Sequence, residues 1–197
     1  MIAPHPAARE ADVAVILEAA RPAVAGQRRP ALTALVGLPG TGKTRIAEAL
    51  AERTGAALLE SDALRRQLFR KRTYSAFESR RLFAAVFEAI GRLLDDGSPA
   101  ILDATNLAEA EREPLERLAK RHGGRLVLVH VTAPEPLVRR RLARRAAGGG
   151  SRSEADARVY ERMRARLEAI ARPHFVVDTS GSTRPALAAI VKEMSEP

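Results

Sequence analysis

The chain has 197 residues, 46% hydrophobic and 29% charged, with no Cys and no Trp. It is long enough to bury a core as one domain, and its composition excludes a disordered tail, a collagen-like repeat, a disulfide-stapled scaffold and, with no run of roughly 20 apolar residues, a membrane span. Basic residues number 33 against 24 acidic ones, a net charge of +9, and only Lys43, Lys71, Lys120 and Lys192 among them are lysines.

The N-terminus lacks the basic start of a signal peptide, so a cytoplasmic chain is expected. Residues 7–25 predict a helix, with Val13, Ile16, Leu17, Ala20 and Val24 at helical spacing and Pro22 ending or bending it. Gly26 to Pro30 reads as a linker, which makes residues 1–30 an accessory segment and 31–197 the main domain.

From Ala31 onward, strands and helices alternate. Leu32–Val36, Ala56–Leu59, Ala100–Leu102, Leu126–Val131 and Phe175–Val177 are short apolar runs that predict five strands. Helices are predicted over 44–53, from Ser61 or Asp62 as cap to Phe69, from a Ser75/Glu78 capping box to about residue 96, and from Asn106 as cap to Arg121. Further helices are predicted to about Ala147, over 154–172 and over 185–194. Apolar strands alternating with helices imply an α/β fold, a five-stranded parallel sheet covered on both faces.

The first strand runs into Gly37-Leu38-Pro39-Gly40-Thr41-Gly42-Lys43-Thr44, which fits G-x-x-x-x-G-K-[ST] in full and opens a helix. Backbone N–H groups of such a loop cradle phosphate, the helix N-terminus adds partial positive charge, the lysine reaches the β and γ phosphates, and the hydroxyl of Thr44 suits Mg²⁺. The loop predicts binding of ATP without naming a reaction. No Asn-Lys-x-Asp base-reading motif of GTPases occurs.

Two acids end later strands. Asp62 follows the second strand, where a phosphotransferase needs a carboxylate to take the acceptor's proton, and Arg65 lies one turn on. Asp62 could also serve only as a plain helix cap, a role compatible with catalysis. Asp103 ends the third strand in a Walker-B arrangement suited to metal, with Asn106 close behind. Arg139, Arg140, Arg141, Arg144, Arg145 and Arg152 have no acid between them, and Gly148 to Gly150 read as a hinge, so a lid over about 139–153 is expected. Arg141/Arg145 and Arg140/Arg144 are rival i, i+4 pairs for facing the phosphates. Segments 61–81 and 139–152 carry seven and six basic residues against two and no acidic ones, so the basic excess reads as a local anion site rather than a coat for nucleic acid.

The phosphate loop, Ser61-Asp62-Ala63-Leu64-Arg65, Leu102-Asp103-Ala104-Thr105-Asn106, Arg141-Leu142-Ala143-Arg144-Arg145 and the late Val177-Asp178-Thr179-Ser180-Gly181 together resemble the P-loop kinases of the AAA_33 type. That group is similar to the kinase domain of polynucleotide 5′-hydroxyl kinases and to small-molecule kinases such as chloramphenicol phosphotransferase and gluconate kinase. The resemblance covers about residues 32–182 and implies a P-loop NTPase fold of nucleoside-kinase type with an arginine-rich helical lid. It implies Lys43, Asp62 (general base), Arg65 and Arg141 as catalytic residues, with Asp62, Arg65, Asp103 and Asn106 toward the acceptor. Gly37 to Thr44, Arg145 and Thr179 would bind ATP, and Thr44 and Asp103 would hold Mg²⁺. The N-terminal helix departs from the many relatives that start at the first strand.

The expected activity is transfer of the γ-phosphate of ATP to a hydroxyl, with a small molecule as the favoured acceptor. A 5′-hydroxyl polynucleotide is the rival, for which only Phe69, Tyr74 and Phe77 offer nearby stacking faces, Phe77 being a candidate for the core. A nucleotide-sensing module without an acceptor is the third reading.

Overall fold

The computed structural model describes residues 6–20, 22, 23, 25, 26, 29–147 and 153–196. Its elements are α1 (Pro6–Ala19), β1 (Ala31–Val36), α2 (Lys43–Thr54), β2 (Ala57–Glu60), α3 (Ser61–Leu68), α4 (Ala76–Asp95) and β3 (Ala100–Asp103), followed by α5 (Glu109–Arg121), β4 (Arg125–Thr132), α6 (Glu135–Ala147), α7 (Ser153–Arg164), β5 (Phe175–Asp178) and α8 (Arg184–Ser195). The five strands form one parallel sheet in the order β2-β3-β1-β4-β5. All five predicted strands are present.

Both faces of the sheet are covered, and its central strand is buried throughout and apolar but for Thr33. Successive side chains of β1 point to opposite faces. Leu32, Ala34 and Val36 join one core with Val13 and Ile16 of α1, Leu82 and Ile90 of α4 and Leu115 of α5. Ala31 and Leu35 join the other, with Ile46 and Leu50 of α2 and Leu187 and Ile190 of α8. A third, smaller cluster sets Val138 and Leu142 of α6 and Tyr160 of α7 against Leu38 and Leu107. The first helix therefore shares the main core, and it is also tied to α4 by Asp12, whose carboxylate accepts two hydrogen bonds from Arg81 at 2.7 and 2.8 Å.

Several predicted helix ends move. The first helix stops at Ala19 rather than residue 25, because a helix cannot run through Pro22 without losing the bond to the carbonyl four residues back. Neither Ser61 nor Asp62 caps α3; Glu60 occupies the cap position with no side-chain bond. Ser75 does cap α4, accepting from the N–H of Glu78 at 3.2 Å. The reciprocal half of that box is missing, since the Glu78 carboxylate is engaged elsewhere. Asn106 is not the cap of α5, which begins after Ala108; Asn106 instead adopts a left-handed conformation, φ 46°. The helix predicted over 154–172 ends at Arg164. Beyond it the chain is held by Arg112, fully buried, which donates to the carbonyls of Glu168 and Ala169 at 3.5 and 3.0 Å, while the N–H of Glu168 donates to the carbonyl of Leu107. Those tertiary partners replace helical ones.

Candidate nucleotide and acceptor site

The phosphate loop lies between β1 and α2, at the carboxyl edge of the sheet, where open parallel sheets bind ligands. Glycine is dictated at its first position: a Cβ on Gly37 would lie 2.5 Å from the carbonyl oxygen of Val131. Gly42 takes φ 99° and starts α2, a conformation that side chains resist. Within the loop, Thr41 Oγ1 donates to the carbonyl of Leu38 at 2.9 Å and Lys43 Nζ to the same carbonyl at 3.1 Å. Leu38 is buried and Pro39 half-buried.

Lys43 stands among several charges. Burial pulls its ammonium below the ordinary lysine range, Asp103 and Asp62 push it back up, and Arg145 lowers it. Asp103 ends β3, Asp62 lies in the first turn of α3 and Arg145 is on α6. Thr44 Oγ1 donates to Asp103 Oδ2 at 2.6 Å, so the two residues expected to hold metal are in contact. Asp103 is buried, and burial raises its carboxyl above the usual range.

Glu60 was not singled out from the sequence. It pairs in register with Asp103 across β2 and β3, and burial together with the Asp103 charge raises its carboxyl. Its signal was available, since it is the acid at the end of a strand, as Asp103 is. Asp62 lies in the first turn of α3 and is exposed. Among the described residues, no group of three or more His, Asp or Glu is arranged to hold a metal, so a cation here would draw on Thr44, Asp103 and oxygens of a ligand.

Arg65 is buried rather than reaching freely into the crevice. Its Nη1 donates to Glu78 Oε1 at 2.6 Å and its Nη2 to Ser79 Oγ at 3.3 Å. Its guanidinium also lies 5.0 Å from the ring centre of Tyr74, and its Nε has no partner. Asn106 donates one amide N–H to the carbonyl of Leu35 at 2.7 Å, so it braces β1 beside the loop, with its second N–H and its amide oxygen remaining. The expected capping glutamate, Glu78, is thus a charged partner inside the acceptor side, a role the S-x-x-E spacing concealed.

The helix α6 sits directly on the phosphate loop. A Cβ on Gly40 would come within 3.0 Å of Val138 and 3.1 Å of Leu142. This packing aims Arg141 at the loop: its Nη1 donates to the carbonyls of Gly40 and Thr41 at 3.3 and 3.2 Å and to Thr179 Oγ1 at 2.7 Å. Thr179 Oγ1 in turn donates to the carbonyl of Thr41 at 2.6 Å. Arg145 lies one turn on and its charge lowers the Lys43 ammonium; Arg140, Arg144 and Arg145 are all exposed. Of the two rival pairs, Arg141 is the member in contact with the loop. Arg139 is not an unpaired cation, because it bridges Glu135 and Glu161. Gly148 to Gly150 and Arg152, expected as hinge and lid end, lie outside the described residues.

The AAA_33 family, an AAA domain, matches residues 32–170. No curated protein matches the chain. Solved structures are similar in fold. A presumptive kinase of Chloroflexus aurantiacus is 23% identical with a TM-score of 0.68, over 86% of this chain and 98% of that one. A gluconokinase of Sinorhizobium meliloti is 19% identical with a TM-score of 0.59, over 85% and 97%. The APS kinase CysC of Mycobacterium tuberculosis, in complex with AMPPNP and APS, is 16% identical with a TM-score of 0.64, over 87% and 100%.

Proposed function

The chain belongs to the AAA_33 family, and from that premise we propose that it is an ATP-dependent kinase that moves the γ-phosphoryl group of ATP to the hydroxyl of a small molecule. The observation that carries this reading is the Thr44–Asp103 contact beside Lys43, with Asp62 in the first turn of α3, just after the neighbouring strand β2. One edge of the sheet then offers a phosphate cradle and a carboxylate on its acceptor flank. Proteins similar in fold include a gluconokinase and an APS kinase.

In the proposed reaction the acceptor oxygen attacks the γ-phosphorus, the bond to the β–γ bridging oxygen breaks, and ADP leaves. Loop N–H groups from Gly37 to Thr44 hold the phosphates, and Lys43 offsets charge on the β and γ oxygens. Asp62 orients the hydroxyl and accepts its proton. Arg65 helps position the acceptor, with Asn106 behind it. Arg141 fixes the loop from the lid, with Arg145 one turn beyond, and Thr179 lies at the nucleotide end. The oxygens of Thr44 and Asp103 fit a hard cation, and Mg²⁺ would supply charge neutralisation between the phosphates. Residues 31–197 form the kinase domain in this reading, with the first helix an accessory, and the chain works in the cytoplasm.

A 5′-hydroxyl polynucleotide acceptor is the second reading, and one observation favours it. Tyr74 and Phe77 are 59% and 55% exposed, next to the exposed Arg70, Lys71 and Arg72. Phe77, a candidate for the core, lies outside it, and Phe69 packs there. Phosphoryl transfer from ATP to sugars, sugar acids and a 5′-hydroxyl oligonucleotide, each at low and high salt, separates the two. A small-molecule kinase labels a sugar-type acceptor with little salt dependence. A polynucleotide kinase labels the oligonucleotide and loses affinity steeply as salt rises. ATP binding without transfer to any hydroxyl would fit the sensing module instead.

A further inference from the structure

The segment between α3 and α4 is folded around one carboxylate. Glu78 is 4% exposed, and its carboxylate accepts three hydrogen bonds from two partners. Oε1 takes Arg65 Nη1 at 2.6 Å. Oε2 takes the N–H of Thr73 at 2.6 Å and its hydroxyl at 2.8 Å. Its own N–H goes to Ser75 Oγ. Thr73 Oγ1 also lies 3.1 Å from Ser75 Oγ. Between those anchors Tyr74 takes φ 52°, a backbone conformation that a bulky residue adopts only when its surroundings hold it there. In that conformation the ring lies over Arg65.

The consequence is geometric. Arg65 shares a helical face with Asp62 one turn earlier, so fixing the guanidinium and the loop together fixes the wall of the acceptor side. The guanidinium is held on Nη1 by Glu78 and on Nη2 by Ser79.

We infer that Glu78 is the positioning residue of the acceptor side: it locks Arg65 and the Thr73–Tyr74 turn in one arrangement and thereby sets which acceptor fits, without touching the nucleotide. The inference rests on the kinase reading above. A helix cap alone would need only the Ser75–Glu78 N–H bond, which uses no atom of the carboxylate.

The test compares Glu78→Gln and Thr73→Val with the unaltered protein. Thr73→Val removes one bond to the carboxylate at an exposed position and so guards against a failure of Glu78→Gln to fold. Amide hydrogen exchange reads the lock directly: the Thr73 amide should exchange at least tenfold faster in Glu78→Gln, with the phosphate-loop amides unchanged. Kinetics are measured with ATP and with the best acceptor among D-gluconate, D-ribose and a 5′-hydroxyl oligonucleotide. The acceptor KM should rise about tenfold in Glu78→Gln and less in Thr73→Val, while the KM for ATP holds. An unchanged Thr73 amide overturns the lock. A faster amide with an unchanged acceptor KM, or an equal rise in both KM values, overturns the specificity role. If the unaltered protein phosphorylates none of the acceptors, the kinase reading falls and the specificity role with it, and the exchange result alone decides the lock.

Discussion

Thr44 Oγ1 donates to Asp103 Oδ2 at 2.6 Å, joining the first turn of α2 to the end of β3. Because Asp103 is buried, its charge is held at a cost that a bound cation would relieve. Asp103→Asn keeps an acceptor for Thr44 and removes that charge. Its ligand-free form should unfold at a slightly higher temperature than the unaltered protein, while added Mg²⁺ and ATP should stabilise it far less. Thermal unfolding with and without the two ligands checks this; equal stabilisation of both proteins would detach Asp103 from the metal.

Gly37→Ala places a Cβ 2.5 Å from a backbone oxygen, that of Val131. A backbone atom at the junction of β4 and the phosphate loop has little freedom to retreat. The expected loss is about 2 kcal/mol of stability, within the range for overpacked sites. Urea denaturation measures it, and a loss below about 0.5 kcal/mol would mean that the loop and β4 separate readily.

The lid prediction contrasts neighbouring arginines. Arg141→Gln removes the bonds to Gly40, Thr41 and Thr179 and should weaken ATP binding about tenfold. Arg140→Gln and Arg144→Gln alter exposed side chains and should leave it unchanged. Calorimetric titration with ATP checks all three.

Acid stability carries a signature of Glu78. The hydrogen bond from Arg65 holds its carboxyl down to about 2, against an ordinary 4.5. A lowered folded value means that the ionised group stabilises the fold fully above the ordinary value and loses that contribution as pH falls toward the lowered one. The stability gap between the unaltered protein and Glu78→Gln should therefore be constant near neutral pH and narrow steadily below about pH 4.5. Denaturation at a series of pH values tests it; a gap that is flat down to pH 3 or so would mean that the charge is not what matters.

The first helix should matter to stability as well. Asp12 is 6% exposed and holds Arg81, whose guanidinium lies 5.3 Å from the ring centre of Phe69 at the end of α3. Asp12→Asn should cost about 1–3 kcal/mol by denaturation, as for hydrogen bonds to charged groups.

Much of this was legible in the sequence because local rules and tertiary context agree there. Apolar runs such as Ala-Leu-Thr-Ala-Leu-Val have one environment that suits them, the middle of a two-sided sheet, and Gly37 to Thr44 specify a loop with one known geometry. Legibility failed where a side chain had a long-range use. Glu78 has capping spacing, yet its carboxylate goes to Arg65, 13 residues away. Asn106 has cap chemistry, yet its amide reaches Leu35. The helix predicted through Arg172 ends early, and the N–H of Glu168 goes to the carbonyl of Leu107 rather than to the one four residues back. Each miss involves a polar group whose partner lies on another element, and nothing in a local window reveals such a partner.

The central claim is phosphoryl transfer with Asp62 as the base, and the most direct measurement follows the γ-phosphate of ATP in the unaltered protein and in Asp62→Asn, alongside ATP binding by each. The account predicts transfer to a hydroxyl acceptor by the unaltered protein, and a loss of at least about 10²-fold in turnover for Asp62→Asn with ATP binding retained. Full turnover in Asp62→Asn, or ATP binding without transfer to any hydroxyl by the unaltered protein, would contradict it.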